Sequence, residues 1–301
     1  FITPGSAINA VAPLDATQET REAIARELGL SKPLYVQYGE YLFDLVQGNM
    51  GFSYIRGQEV TSLVFSKVPA TVELAVAATV VAIVLSIPLG VVSATRRNQP
   101  VDWLATLFSL AGISTPNFWL GIMMILVLAV QLGIFQTSGR AVAGVTVLTS
   151  LVGPRSFLDT LVLWLQHITL PAIALGTYFT ALITRLTRSG MLDELGKPYV
   201  RAARAKGLPE TLVRYKHALR NTLIPVITVL GLQLGTLIGG AVITEAVFSW
   251  PGLGTLVIRS INLRDWPVLQ GSLIVIGTSF VLVNIVVDVV YAYLDPRVVN
   301  E

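Results

Sequence analysis

This sequence predicts an all-α integral membrane protein, and three observations carry the prediction. Of its 301 residues 53% are hydrophobic and 13% charged, about half the roughly 25% charged content of soluble domains. Five segments are apolar over the ~20 residues that a membrane-crossing helix needs. The Lys and Arg residues gather on one set of connections between those segments, as the bias of positive charge towards the cytoplasm requires.

The five segments follow in order. The first is Thr71 to Thr95. The second runs from Leu104 to Phe135 and is interrupted by "STPN", Ser114 to Asn117, which makes Ser114 and Asn117 candidates for a polar pore lining. The third covers Ile168 to Leu186, the fourth Leu223 to Thr244 and the fifth Val268 to Leu294. Each contains Gly or Pro (Pro88, Pro116, Pro171, Gly231, Gly277), which membrane helices tolerate because neighbouring groups satisfy the freed backbone.

The connections differ in character. Residues 1–68 form an extracytoplasmic or interfacial segment with a helix-like stretch over 16–30, whose Glu19, Glu22, Arg26 and Glu27 mark a solvated face. Residues 136–167 are punctuated by Gly and Ser and predict at most a partial or re-entrant helix. Residues 245–267 predict turns at Pro251-Gly252 and at Gly254, then an amphipathic stretch at an interface. The membrane domain therefore spans 69–294, with a cytoplasmic loop over 187–222 and a tail over 295–301.

Charge sets the orientation. Arg96, Arg97, Arg297 and the cluster from Arg185 to Arg220 share one side, and the two shorter opposite loops hold only Arg140, Arg155, Arg259 and Arg264. The basic side is expected to be cytoplasmic, and Phe1 to lie outside or near the outer surface. A cytoplasmic start would need one more span before Phe1. Composition also excludes: with no cysteine there is no disulfide, thiolate nucleophile or Cys-ligated metal. Two histidines, His167 and His217, argue against a His-based metal site, and a net charge of +3 is too small to argue for nucleic acid.

The basic loop is the most informative stretch. Over Tyr199 to Val226 and Lys197 it sets seven Lys or Arg against one acid, Glu210. A helix should begin after Pro198 and stop at Gly207, which suits a left-handed cap; Pro209 can open the next helix. Tyr199, Ala202, Ala203 and Lys206 share one stripe, with Arg201 and Arg204 elsewhere. In the second helix Leu212, Tyr215 and Leu219 form the apolar stripe. A loop that merely sets topology and touches anionic lipid is one reading. The cap chemistry and the small Ala residues, which that reading leaves unexplained, suggest a shaped docking element. On the residues alone the topology reading leads, and both stay open.

"YVRAARAKGLPETLVRYKHALRNTLIPV" resembles the cytoplasmic loop of permease subunits of bacterial ABC importers, and more narrowly of the dipeptide, oligopeptide and nickel permease family. "STPNFWLG" (114–121), "ITLPAIALG" (168–176), "TRLTRSGMLDELGKPYVRAARAKGL" (184–208), "GLQLGTLIGGAVITEAVFSWPGLG" (231–254) and "YLDPRV" (293–298) support it, and the opening "TPGSA" resembles the Pro-Gly-Asp-Pro after that family's first span. Arg201 stands in place of the general motif's Glu, His217 where Ile is usual and Arg220 where Pro is usual. Ser6 replaces an acid in the opening.

The resemblance implies the type I importer permease fold, with a first span ending close to Phe1. It also implies a bacterial inner-membrane location, import of peptides (alternatively of nickel or another small solute), and pairing with a second homologous permease, two ATPase subunits and an external binding protein. The residues it implies for ATPase coupling are Tyr199, Arg201, Ala202, Ala203, Arg204, Lys206, Gly207, Leu208, His217 and Arg220.

No Gly-x-x-x-x-Gly-Lys-Ser/Thr phosphate loop occurs, and Pro198 follows the Gly196-Lys197 pair. No cofactor and no enzymatic activity are therefore expected in this chain; ATP would be bound by partner subunits. Gly231, Gly235 and Gly239 share one face of the fourth segment and invite close approach of a helix, from this chain or from a second permease, with Gln233 and Thr236 flanking a polar path. Glu73 and Glu245 lie near outer ends, where snorkelling or a helix-terminus role is expected, whereas Asp288 lies deeper beside Asn284 and suits pairing with a partner helix. Trp119, Trp164, Trp250 and Trp266 are expected at the interfaces. "SWPGLG" (249–254) is either a turn or a rim for the binding protein. An ion-driven carrier would show internal repeats, and none is evident. A membrane enzyme would show a motif such as Gly-x-Ser-x-Gly, and none occurs.

Overall fold

Pro116 breaks the second apolar segment into two helices at a sharp angle. Helix α4 covers Pro100–Ser114 and α5 covers Asn117–Met124, and their axes diverge by 107°. Thr115 and Pro116 are extended because a proline disfavours the helical conformation in the residue before it and supplies no N–H of its own. α5 then runs on as a π-helical turn, Ile125–Gln131. The interruption expected at Ser114–Asn117 is thus a bent pair of helices, a broken span or a re-entrant loop.

The computed structural model describes residues 17–20, 32–149 and 157–294. The helical face expected over 16–30 lies largely outside them, as do Arg155 and the tail 295–301. Among the described residues the remaining elements are α1 (Leu34–Val46), a two-residue hairpin of β1 (Phe52–Ser53) and β2 (Gln58–Glu59), and α2 (Val60–Phe65). They continue with α3 (Val68–Thr95), α6 (Gly144–Thr149) and α7 (Phe157–Leu195), then α8 (Pro198–Ala205), the single turn α9 (Glu210–Leu212) with a π-helical continuation over Val213–Ala218, α10 (Leu219–Val247), α11 (Leu253–Leu263) and α12 (Trp266–Leu294). Among the described residues four helical stretches are long and apolar enough to cross a membrane, or five if the bent pair counts as one.

α7 is longer than its apolar segment. Its 39 residues begin at Phe157, so 157–167, expected in a broken connection, belong to a continuous helix. Pro171 is tolerated inside it. The core is built where α7 lies against α3: Leu74, Ala75, Ala78 and Ala82 meet Ile168, Ala172, Leu175, Phe179 and Ile183, and Trp250 joins them. Small residues let these backbones interlock, and a Cβ on Gly176 would stand 2.8 Å from the Ala78 carbonyl oxygen. α10 and α12 pair beside them.

The end opposite the basic loop is tied by buried polar groups. Glu245 of α10 is fully buried. Its Oε2 accepts the N–H groups of Gly254 and Thr255 at 2.8 and 3.2 Å, and its Oε1 accepts the Thr71 hydroxyl at 2.6 Å. The carboxylate therefore neutralises the free N–H groups that open α11. That is the expected helix-terminus role, in place of snorkelling. Gly254 lies inside α11 rather than at a turn, and it is glycine because Val242 leaves no room for a Cβ there. Glu73 does not snorkel either; it pairs with Arg140 and accepts the Trp164 Nε1–H at 2.5 Å. Trp250 is no interfacial anchor: it is fully buried and its Nε1 donates to the Ala70 carbonyl at 2.8 Å. Asp265 accepts the Ser53 hydroxyl at 2.6 Å and faces Arg56 at 3.5 Å, which pins the hairpin to the start of α12.

Candidate coupling loop and its supports

The loop between α7 and α10 is stiffened by its own cap chemistry. α8 ends in a left-handed glycine, Gly207, at φ 76°. The Gly207 N–H reaches the Arg204 carbonyl at 2.9 Å, and the Leu208 N–H reaches the Ala203 carbonyl at 3.3 Å. That pair of bonds is a Schellman cap, which turns the chain sharply and satisfies carbonyls the helix leaves open. Pro209 caps the next turn.

The inward face of the loop is smaller than the sequence suggests. Val200, Ala203 and Val213 form a buried cluster against Leu195, whereas Tyr199, Ala202 and Lys206, expected on the same stripe as Ala203, are exposed. In the second helix the buried residues are Val213 and Ala218; Leu212 and Tyr215 are 43% and 57% exposed. The π-helical turn over Val213–Ala218 adds residues per turn and breaks the 3.6-residue pattern, so the stripe of Leu212, Tyr215 and Leu219 does not hold together. Leu212 and Tyr215 stay outside, whereas Leu219 packs against Val91, Ala94, Met191 and Ala218.

Polar ties hold the two arms together. Arg204 grips Glu210 with two bonds, at 3.1 and 3.0 Å, and Arg214 adds a third at 3.1 Å. The Tyr199 hydroxyl donates to Glu194 at 2.6 Å, lies 3.3 Å from the His217 carbonyl and accepts from Asn221 at 3.0 Å. Lys197 pairs with the other Glu194 oxygen at 2.5 Å. Partial desolvation of the Tyr199 hydroxyl, reinforced by Glu194, raises it above its ordinary range, so it stays a donor at neutral pH. Arg201, Ala202, Arg204, Lys206, Leu208 and Tyr215 remain on the open surface, Arg220 is exposed on α10, and His217 is half-buried. The loop therefore presents cations and apolar side chains on a rigid frame.

The helix-packing candidates separate. Gly231 and Gly235 are buried and admit α12: Val287 fills the space beside Gly231, and a Cβ on Gly235 would stand 3.0 Å from Phe280 and Asn284. Gly239 is exposed, with nothing among the described residues within 4 Å of its would-be Cβ. The Thr236 hydroxyl bonds the Gln233 carbonyl and side-chain oxygens, at 2.7 and 3.0 Å, so these two residues satisfy each other. Ser114 is exposed at the end of α4 and Asn117 half-buried at the start of α5. Asp288 is exposed, with no ion pair among the described residues. The structure brings Ser114 and Asn117 together at the bend but leaves Asp288 apart from them.

Sequence reasoning missed one cluster. Asp102, in the first turn of α4, is bound by Arg188 of α7, by the Ser93 hydroxyl of α3 and by the Asn98 N–H. An acid beside the start of an apolar segment, with an arginine near the end of another, was the available signal.

Residues 86–300 match the family described as the inner membrane component of binding-protein-dependent transport systems. The chain belongs to this family. Full-length relatives agree. The chain is 44% identical to the di/tripeptide transport system permease protein DppB of Pseudomonas aeruginosa, over 93% of this chain and 85% of that one. It is 39% identical to the dipeptide transport system permease protein DppB of Alkalihalophilus pseudofirmus, over 99% and 91%, and 37% identical to the glutathione transport system permease protein GsiC of Escherichia coli, over 98% and 89%. Its fold is similar to that of a chain in inward-facing structures of the methionine ABC transporter MetNI, with a TM-score of 0.57 at 18% identity, over 77% of this chain and 96% of that one. This transport-system component is accordingly a multi-pass α-helical membrane protein with an ABC importer permease fold.

Proposed function

We propose that this chain is a membrane-spanning subunit of an ATP-driven importer of short peptides in the bacterial inner membrane. The observation that carries the reading is similarity along nearly the whole chain, at 37–44% identity, to permeases named for dipeptides, di- and tripeptides and glutathione. Membership of a binding-protein-dependent family supports an external protein that delivers the peptide. The sequence carries no phosphate loop, so ATP hydrolysis belongs to partner chains and this subunit catalyses no reaction.

The loop over 187–222 is the contact with those ATPases. Its Schellman cap and its Arg204–Glu210–Arg214 ties make it rigid enough to transmit a displacement, and its two arms continue into α7 and α10. Closure of the ATPases would move both helices and alternate access by rigid-body motion. A second, homologous permease would complete the pathway.

The test is co-purification of the tagged full-length chain from its native membrane, partners identified by mass spectrometry, followed by uptake of labelled di- and tripeptides into proteoliposomes. An ATPase with a phosphate loop and ATP-dependent uptake are expected. Recovery of the chain alone, or uptake driven by a proton gradient without ATP, would sink the reading.

A further inference from the structure

α4 packs on α7 along one face, on which Asp102, Ala105, Ser109 and Gly112 are buried. At the bend end, a Cβ on Gly112 would stand 2.8 Å from that of Ala181, so the helices touch directly. At the basic end Asp102, its side chain 6% exposed, accepts Nε and Nη2 of Arg188 at 2.6 and 2.9 Å. Beside this face runs a groove of about 300 Å³ lined by Thr106, Leu110, Ile113, Thr184, Arg185 and Arg188 among others. The packed face of α4 is made of small side chains, and the ion pair makes the directional joint at the basic ends.

The joint is stiff for a chemical reason. Two parallel N–H···O bonds fix the plane of the carboxylate against the guanidinium and resist both sliding and rotation. Two further donors fill the remaining acceptor sites of Asp102: the Ser93 hydroxyl at 2.5 Å and the Asn98 N–H at 2.9 Å. Asn98 adopts φ 62°, a left-handed conformation that Asn tolerates better than most residues, and this places its N–H on the carboxylate. α3 is locked into the same corner, because Gly90 admits Thr187, whose Cβ lies 2.6 Å from a would-be Cβ there. Arg188 stands on the last two turns of α7, where the loop over 187–222 begins.

We propose that the Asp102–Arg188 pair is the positioning link that carries displacement of the loop into α4, and through α4 to the bent segment at Ser114–Asn117. The inference rests on the import reading. α3, α4 and the basic end of α7 then move as one body, held at one corner by a single carboxylate. Without the link the loop still follows the ATPases, but the basic end of α4 follows the loop less closely.

The test uses the whole transporter in liposomes and two readouts. Asp102→Asn and Arg188→Gln are each expected to lower ATP-dependent peptide uptake at least tenfold while ATP hydrolysis falls less than threefold. The double variant should be no worse than either, and Arg188→Lys, which keeps the charge and loses the fork, should lie between. The chain has no cysteine, so with partner subunits freed of reactive cysteine, joining Asp102→Cys to Arg188→Cys with a short bis-methanethiosulfonate addresses only that pair; it should restore uptake. A parallel loss of uptake and hydrolysis, or unchanged uptake, would overturn the link. Spin labels at Leu107→Cys and Asp193→Cys need no transport. Their distance distribution should stay narrow with and without nucleotide, and should broaden when Asp102→Asn is added; a distribution that stays narrow overturns the proposal. If the unmodified complex takes up no peptide yet the labels behave as expected, the import reading fails and the link stands.

Discussion

Replacing Glu245 with alanine removes the acceptor for three buried donors at once: the Thr71 hydroxyl and the N–H groups of Gly254 and Thr255. A donor left unpaired in a buried site costs about 1–3 kcal/mol. The Thr71 hydroxyl can turn to another acceptor, whereas the two N–H groups are fixed by the start of α11 and cannot. The expected loss is therefore about 2–6 kcal/mol, and a cavity beside Gly252, which Glu245 now fills, adds to it. Glu245→Gln keeps one oxygen for the N–H pair and can donate to Thr71, so it should lose less than half as much. The assay is heating of the detergent-solubilised complex followed by size-exclusion chromatography, read as the temperature at which half the protein survives. At about 2–4 °C per kcal/mol for a chain of 150–250 residues, Glu245→Ala should fall by about 5–20 °C and Glu245→Gln by clearly less. Equal shifts, or an alanine variant within 2 °C of the parent, would refute the view that this carboxylate caps α11.

Gly207→Val forces a β-branched residue into φ 76°, at a cost of about 1–2 kcal/mol, and should weaken recovery of the ATPase subunit with the chain; Gly207→Asn should be milder. Tyr199→Phe removes the hydroxyl that joins Glu194, His217 and Asn221. Because the folded Tyr199 pKa is raised above its ordinary value, the tie is fully present below pH 10 and lost as pH rises through the folded value. The stability gap between parent and Tyr199→Phe should therefore be flat to about pH 10 and close above it, as followed by thermal survival across pH. Asp265→Asn frees the hairpin that Ser53 anchors and should speed limited proteolysis between residues 48 and 60. Gly235→Leu collides with Phe280 and Asn284 and should lower the yield of folded chain several-fold.

Local chemistry was legible and distant pairing was not. The stop at Gly207 and the break at Pro116 follow from the backbone freedom of one residue and the ring of another, so a reader of the sequence finds both. The apolar lengths likewise give the crossings. Arg188 and Asp102 stand 86 residues apart and Glu245 and Thr71 174, and no periodicity links them. Tyr215 fails for a different reason. The pattern assumes 3.6 residues per turn, and the π-helical turn beneath it does not keep that count. Trp250 shows that an aromatic near a span end reads the same whether it faces lipid or the core; the Ala70 carbonyl that receives its N–H decides, and that carbonyl belongs to another helix.

α7 has 39 residues and is therefore about 58 Å long. The hydrocarbon layer is about 30 Å thick and the whole bilayer about 40–45 Å. Even tilted by about 20°, the helix exceeds the full thickness by some 10 Å, so it stands out of the lipid like a post. The segment from Gly196 onward is thereby lifted clear of the headgroups into water. A soluble protein could close around it from several sides without brushing the phosphates.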